Sequence, residues 1–96
     1  MKEGEHILVV EDELSIRKLV VTILQDHGYH VMEAADGQEA LQCLQRMKGK
    51  CPLVIADVIM PRMNTAALVQ AVHALQPDAQ VLYMSGYAGD TLQANG

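Results

Sequence analysis

The sequence is poor in aromatic residues: its 96 positions include 3 Tyr but no Phe and no Trp. A hydrophobic core therefore has to be built from aliphatic side chains. Apolar residues make up 50% of the chain, which is typical of a folded globular domain and not of a disordered segment. The length suits a single domain, so we treat residues 1–96 as one unit.

The sequence also lacks a basic cluster and a long hydrophobic run. Lys and Arg number 7 against 12 Asp and Glu, and the formal net charge of -5 argues against direct binding to nucleic acid. The longest apolar runs, such as residues 7–10, have the length of a strand, and residues 1–6 are polar and acidic, unlike a signal peptide. We expect a cytoplasmic domain that makes no membrane contact.

Cysteine is scarce as well, with Cys43 and Cys51 outside any CxxC spacing. The four histidines form no ligand pattern either, so neither a structural metal site nor a disulfide framework is expected. We expect reduced thiols, and histidines at the surface or at strand ends.

Four short segments are predicted to be strands, over residues 7–10, 29–34, 53–56 and 81–84, and they alternate with segments of helical periodicity. We expect the first helix to end at Gly28. We expect one apolar stripe of this helix to be buried, formed by Ile16, Leu19, Val20, Ile23 and Leu24. Asp36 is positioned to cap the second helix, and Pro77 ends the third. This alternation predicts a parallel sheet, whose ligands bind outside the carboxyl ends of the strands.

Polar residues follow three of the four predicted strands. Glu11 and Asp12 come after the first strand, Asp57 after the third and Ser85 after the fourth, which places them at one edge of the sheet. Carboxylates that lie close together at such an edge repel each other unless they share a proton or a cation. Oxygen ligands with open water positions suit Mg²⁺, which also accepts phosphate oxygens. The sequence therefore predicts a Mg²⁺ site for phosphoryl transfer.

Each of these residues also has an ordinary structural explanation. Asp12 could cap a helix, Asp57 could be a turn residue, and Ser85 followed by Gly86 is a common turn pair. The convergence of Glu11 with both aspartates at one edge favours the functional interpretation.

Three motifs, in this order along the chain, resemble those of the receiver domains of two-component signalling: Val10-Glu11-Asp12-Glu13, Ala56-Asp57-Val58-Ile59-Met60-Pro61 and Met84-Ser85-Gly86-Tyr87. The resemblance covers nearly the whole chain. It implies a three-layer, flavodoxin-like α/β fold with strand order 2-1-3-4, and a phosphoacceptor function in a phosphorelay. The last motif resembles receivers attached to hybrid sensor histidine kinases in particular.

The resemblance also implies roles for the acidic residues. Asp57 would be the nucleophile that takes a phosphoryl group from a phosphohistidine. Glu11 and Asp12 would hold Mg²⁺ together with Asp57 and the backbone carbonyl of Ile59. The domain would then be a self-phosphorylating acceptor and not a stand-alone enzyme.

Further roles follow from the same resemblance for residues beside the acids. Ser85 matches the switch hydroxyl that turns toward the new phosphoryl group, and the backbone amides of Val58 and Gly86 would steady phosphoryl oxygens. The implied partner is a histidine kinase or a histidine phosphotransfer domain.

The sequence departs from the family pattern in two places. The family has a Lys at the end of a fifth strand, but this chain ends at Gly96, so we expect that strand and the last helix to be missing. The fourth strand would then be an open edge through which a homodimer or a swapped dimer could form. Thr65 stands where the family usually has Gly, and we expect Thr65 to cap the third helix and Asn64 to adopt the left-handed conformation in its place.

Two other functions remain open at this point. The absent Lys leaves room for a phosphorylation-independent pseudo-receiver, an interaction or dimerisation module with the same fold. A Mg²⁺-dependent phosphatase or other hydrolase would need a second acid near Asp57, but Ile59 stands two residues after it.

Overall fold

The computed structural model of the chain describes residues 4–57 and 64–84. Strands and helices alternate along these ranges, as the sequence predicts: β1 (His6–Val10), α1 (Leu14–Asp26), β2 (His30–Ala34), α2 (Gly37–Arg46), β3 (Leu53–Asp57), α3 (Thr65–Leu75) and β4 (Gln80–Met84). The predicted strand ends are correct to within one residue. Strand β3 extends one residue further than predicted, so Asp57 is its last residue.

The strands form one parallel sheet in the order β2-β1-β3-β4, which confirms the predicted order. In the register of β1 and β3, Val10 pairs with Ala56, and in that of β3 and β4, Asp57 pairs with Met84. Because the strands are parallel, their carboxyl ends lie at one edge of the sheet. The residues that follow β1 and those that end β3 are therefore close neighbours.

Helices cover both faces of the sheet. One buried cluster joins β1 and β3 to α2 and α3, and includes Leu8, Val10, Ala40, Leu44, Val54, Ala56, Leu68 and Val72. The opposite cluster joins the same two strands to α1 and consists of Ile7, Val9, Val21 and Ile55. Alternate residues of each strand thus serve different layers, which confirms the predicted three-layer α/β architecture.

The predicted buried face of helix α1 is only partly correct. Its buried residue is Val21, which is 4% exposed. Of the predicted stripe, two members are partly buried and three are exposed: Val20 and Leu24, and then Ile16 at 40%, Leu19 at 61% and Ile23 at 48%. The helix is apolar over a wide arc, so its periodicity fits more than one buried face, and packing on the sheet through Val21 selects between them.

Two of the predicted helix boundaries are confirmed. Helix α1 ends at Asp26, and Gly28 has a φ of 91°, a left-handed conformation that glycine adopts without a steric penalty. Helix α2 is capped by Asp36, whose Oδ1 accepts a hydrogen bond from the backbone amide of Glu39 at 2.8 Å.

Both predictions for the start of α3 are wrong. Asn64 is the cap, since its Oδ1 accepts hydrogen bonds from the amides of Ala66 and Ala67 at 2.9 and 3.3 Å. Its φ of -84° is extended and not left-handed, and Thr65 is already the first helical residue. An extended Asn just before the helix satisfies two free amides by itself, so no special backbone conformation is required.

In the part of the chain that the structure describes, no helix combines the length and the apolar character needed to cross a membrane.

Candidate functional site

Three carboxylates meet at the carboxyl edge of the sheet. Glu11 and Asp12 follow β1, Asp57 ends β3, and one oxygen of each lies within 4.8 Å of the others. We call these three residues the acidic cluster. They differ in exposure, since Glu11 is 2% exposed, Asp57 is partly buried and Asp12 is exposed. The structure thus brings together the three acids that the sequence places at this edge.

Hydrogen bonds hold Glu11 at three points. Its backbone amide donates to the carbonyl of Ala34 at the end of β2, at 3.0 Å. Its Oε1 accepts from the backbone amide of Glu13 at 2.9 Å, and its carbonyl oxygen accepts from Nη1 of Arg17 at 2.8 Å. The main chain of Glu11 is therefore held by β2 and by α1, and its carboxylate is held by the amide just before α1.

Helix capping does not account for Asp12. The cap position of α1 is Glu13, and no side-chain hydrogen bond caps this helix. The side chain of Asp12 instead belongs to the acidic cluster, where its oxygen is one of three that can face a common ion.

The surroundings of Glu11 raise its pKa from 4.5 to about 7. Burial is the largest cause, because it disfavours the charged carboxylate. Hydrogen bonds with Asp57 and Asp12 raise the pKa further, while the bond from the amide of Glu13 opposes the shift. At neutral pH the carboxyl group of Glu11 is therefore about equally protonated and ionised.

The donor set of the cluster fits a hard divalent cation. All three candidate ligands are carboxylate oxygens, and nitrogen or sulfur donors, which transition metals favour, are not among them. Mg²⁺ is usually bound through one or two carboxylates while it keeps several water molecules, and the exposed Asp12 leaves one side of the cluster open to solvent. Within residues 4–57 and 64–84, the acidic cluster is the group of three or more His, Cys, Asp or Glu side chains whose ligand atoms lie close enough together to share an ion.

The remaining predicted site residues, Val58, Ile59, Ser85 and Gly86, lie outside the described residues. Their roles stay predictions.

Sequence reasoning missed two residues beside the cluster, Arg17 and Glu33. Nε of Arg17 lies 3.1 Å from Oε1 of Glu33, and Nζ of Lys18 lies 2.9 Å from Oε2. Lys18 first, then Arg17, lower the pKa of Glu33. The sequence alone gives no signal for this network, because Glu11 and Glu33 are brought together only when β1 pairs with β2.

The family model of the response regulator receiver domain matches residues 7–95 of the chain. The chain is 39% identical over 89 residues to the sensor kinase CckA of Brucella abortus (strain 2308), a match that covers 93% of this chain and 9% of that protein.

Two solved structures show the same fold. The crystal structure of the receiver domain from the hybrid histidine kinase CckA gives a TM-score of 0.78 at 39% identity, covering 88% of this chain and 78% of that one. The response regulator TrrA from Thermotoga maritima, in complex with Mg²⁺ and BeF, gives a TM-score of 0.74 at 33% identity, covering 88% of this chain and 71% of that one.

The fold and the acidic cluster define a three-layer parallel α/β domain with an oxygen-rich, cation-binding type of site at its carboxyl edge. The chain belongs to the response regulator receiver domain family, and it is a receiver domain of two-component signal transduction. The match spans less than a tenth of the length of the sensor kinase CckA, at 9%. The comparisons give no support to a phosphorylation-independent module.

Proposed function

We propose that Asp57 accepts a phosphoryl group from a phosphohistidine and that the acidic cluster binds Mg²⁺ during the transfer. The observation that carries this proposal is the placement of oxygens from Glu11, Asp12 and Asp57 within 4.8 Å of one another. Family membership supports it, as does the Mg²⁺ in the complex of the similar regulator TrrA.

The position of Asp57 suits a nucleophile. It ends β3, which is paired with β1 on one side and β4 on the other, so its main chain is fixed. A carboxylate oxygen of Asp57 forms a bond to phosphorus while the bond from phosphorus to the imidazole nitrogen breaks, and the nitrogen keeps the electron pair. When bound, Mg²⁺ supplies positive charge that offsets the carboxylates and the phosphoryl oxygens. The rest of the task is in-line positioning.

Glu11 and Asp12 are the side chains that would hold the cation, with the backbone carbonyl of Ile59 as a further ligand. Because the pKa of Glu11 is about 7, cation binding at neutral pH displaces a proton from the cluster. Ser85 would turn its hydroxyl toward the phosphoryl group.

The proposed donor is a histidine kinase or a histidine phosphotransfer domain, and the parent protein is proposed to be a hybrid histidine kinase. A cytoplasmic location belongs to the same proposal, because ATP supplies the phosphohistidine there. Cys43 and Cys51 are both free thiols, which suits a reducing compartment.

We also propose that the chain dimerises, side by side or by swapping, through the edge of β4. This strand pairs with β3, and no strand in residues 4–57 or 64–84 pairs with its other edge, while Leu82 on β4 is 55% exposed. Unpaired edges favour strand addition. Sedimentation velocity over a range of concentrations should detect a dimer that Leu82→Lys dissociates. A monomer at every concentration would contradict this part of the proposal.

The decisive experiment measures intact mass after incubation with acetyl phosphate and Mg²⁺. The unmodified chain should gain one phosphoryl group, and Asp57→Asn should gain none. Asp78→Asn is the matched control, because it removes an exposed aspartate from the turn before β4, at the opposite end of the sheet. This control should be modified as the unmodified chain is.

The alternatives give different results in the same experiment. A phosphoryl group on Asp57→Asn would place the acceptor at another residue. No modification of the unmodified chain, in the presence of Mg²⁺ that it demonstrably binds, would favour a module that works without phosphorylation.

A further inference from the structure

Arg17 links three elements around the acidic cluster. Its Nη1 donates to the carbonyl oxygen of Glu11 at 2.8 Å, at the exit of β1, and its Nε donates to Oε1 of Glu33 on β2 at 3.1 Å. Its own backbone belongs to α1, and its side chain is only 15% exposed. The two acceptor atoms, the backbone carbonyl oxygen of Glu11 and Oε1 of Glu33, are not among the proposed metal ligands, so Arg17 acts on Glu11 through its main chain and not through its carboxylate.

We propose that Arg17 is a positioning residue for the Mg²⁺ site, which acts by fixing the backbone of Glu11. The inference rests on the proposed function of the cluster. In this arrangement, Glu33 orients the guanidinium from β2, the guanidinium holds the Glu11 carbonyl, and the Glu11 carboxylate is thereby held beside Asp12 and Asp57.

The bond to Glu11 matters because the segment between β1 and α1 is short. Glu11, Asp12 and Glu13 join the end of β1 to the first residue of α1, and two of them belong to the cluster. A charge-assisted hydrogen bond to the main chain limits the rotation of this segment. Without it, a smaller fraction of molecules would present both carboxylates to the cation, and the apparent affinity would fall by that fraction.

The fork of the guanidinium is essential to this role. Separate nitrogens bind Glu33 and Glu11, and they lie in one rigid plane. A lysine at position 17 would keep the charge but would offer a single nitrogen, which cannot hold both partners in this geometry.

Lys18 provides a matched control within the same network. Its Nζ lies 2.9 Å from Oε2 of Glu33, and its side chain is 58% exposed. It contributes the same charge to the same partner, and its hydrogen bond is to the carboxylate of Glu33 and not to the main chain of Glu11. Lys18→Met therefore removes one positive charge from the network while leaving the bond between Arg17 and Glu11 in place.

The test is Mg²⁺ titration of the full 96-residue chain by isothermal calorimetry at constant pH, at a temperature where each variant is folded by circular dichroism. Arg17→Met should weaken Mg²⁺ binding roughly tenfold, the usual scale for outer residues that orient metal ligands. Lys18→Met should stay within about twofold, as expected for an exposed ion pair. Arg17→Lys should bind as weakly as Arg17→Met, and it serves in its place if Arg17→Met does not fold.

Val21→Ala separates positioning from stability. This change destabilises α1 at a buried residue on the same helix, yet Val21 contacts the apolar layer and not the cluster. It should lower the melting temperature and leave the Mg²⁺ dissociation constant unchanged. If Arg17→Met follows the same pattern, Arg17 is merely structural and the inference is wrong.

Three further outcomes separate the inference from the function on which it rests. Equal weakening by Arg17→Met and Lys18→Met, abolished by high salt, would assign the effect to charge and would overturn the positioning role. If the unmodified chain binds no Mg²⁺ at all, the proposed function fails and the inference fails with it. If the unmodified chain binds and Arg17→Met binds equally well, only the inference fails.

Discussion

At the scale of single residues, the position of Glu11 opposes the ionisation of its own carboxyl group. Its carboxyl group is almost fully buried, lies beside two other acids and has a pKa of about 7. The folded protein therefore prefers Glu11 protonated, whereas the unfolded chain ionises it near 4.5. Folding consequently depends on pH in a range where most carboxylates have no further effect.

We predict that stability without divalent cations falls as pH rises between about 5 and 8. A raised folded-state pKa contributes stability that is complete below the unfolded value of 4.5 and is lost as pH rises through about 7. The total change is about 3 kcal/mol, since one pKa unit corresponds to about 1.4 kcal/mol. Urea unfolding at several pH values measures it. Starting at pH 5 avoids Glu33, whose lowered pKa affects stability only at more acidic pH.

Substitutions test the assignment of this slope. Glu11→Gln should remove it, while Glu13→Gln, which changes an exposed acid two residues away, should retain it. Asp57→Asn should shift the midpoint of the slope to lower pH, because Asp57 contributes to the raised pKa of Glu11. A slope that persists unchanged in Glu11→Gln would mean that another group carries it.

At the scale of elements, α1 shows what a periodic pattern leaves undetermined. A stripe at i, i+3, i+4, i+7 and i+8 was predicted to be buried, yet Leu19 is 61% exposed and Val21 is 4% exposed. Hydrophobic residues occur around more than half of this helix, so the pattern alone gives two acceptable orientations. The sheet decides, because Val21 fits against Ile7, Val9 and Ile55.

The two orientations predict different costs for truncation on α1. Val21→Ala should destabilise the domain by about 2 kcal/mol, because it leaves a gap in a packed layer. Leu19→Ala removes more atoms but from an exposed site, and it should change stability by less than about 0.5 kcal/mol. Denaturant unfolding of the two variants under identical conditions measures both. The reverse ranking would support the face predicted from the sequence.

The start of α2 offers a second prediction at this scale. Asp36 accepts from the amide of Glu39 at 2.8 Å, and the side chain of Glu39 accepts from the amide of Ala35 at 2.9 Å. Asp36→Ala should cost about 1 kcal/mol, whereas Asp36→Asn keeps an acceptor of equal capping strength and should cost much less. Thermal unfolding distinguishes them, and equal losses in the two variants would mean that the charge and not the cap matters.

Local signals explain why α2 was predicted well and the start of α3 was not. Asp36 is the only capping residue next to its helix, so one assignment is available. Asn64 and Thr65 are adjacent and both are residue types that cap helices. Which of them is the cap depends on the residue at which the helix begins, and sequence patterns do not determine helix ends to one residue. Arg17 was missed for a related reason, since its partners Glu11 and Glu33 become neighbours only when β1 and β2 pair.

At the scale of the whole molecule, we predict that Mg²⁺ stabilises the fold. A ligand that binds only the folded state at a free concentration of 100 times its dissociation constant adds roughly 2.7 kcal/mol. In a domain of this size that corresponds to a rise in melting temperature on the order of 10 °C. Differential scanning fluorimetry at pH 8 measures it, and Asp57→Asn should reduce the shift. No shift in the unmodified chain would contradict cation binding by the cluster.

The parallel arrangement was the most predictable property of the molecule. Four short apolar runs separated by helical segments leave few alternatives, because crossovers between parallel strands are right-handed and keep the carboxyl ends together. The meeting of Glu11, Asp12 and Asp57 at one edge follows from that rule, whereas the strand order 2-1-3-4 came from the resemblance to receiver domains. The pKa of Glu11 could not be predicted, because it depends on how deeply one side chain is buried.

The burial of Glu11 also bears on how such a sequence persists. A glutamine or an apolar residue at position 11 would remove the buried carboxyl group and the repulsion within the cluster. Such a substitution would stabilise the fold, and stabilising substitutions are readily found. The core that holds the sheet together does not include Asp57, so the fold would survive the loss of its reactive group. In a lineage that no longer uses the domain for signalling, substitutions should therefore accumulate first at this edge of the sheet. The resulting proteins would keep the fold but lose the reactive carboxylate.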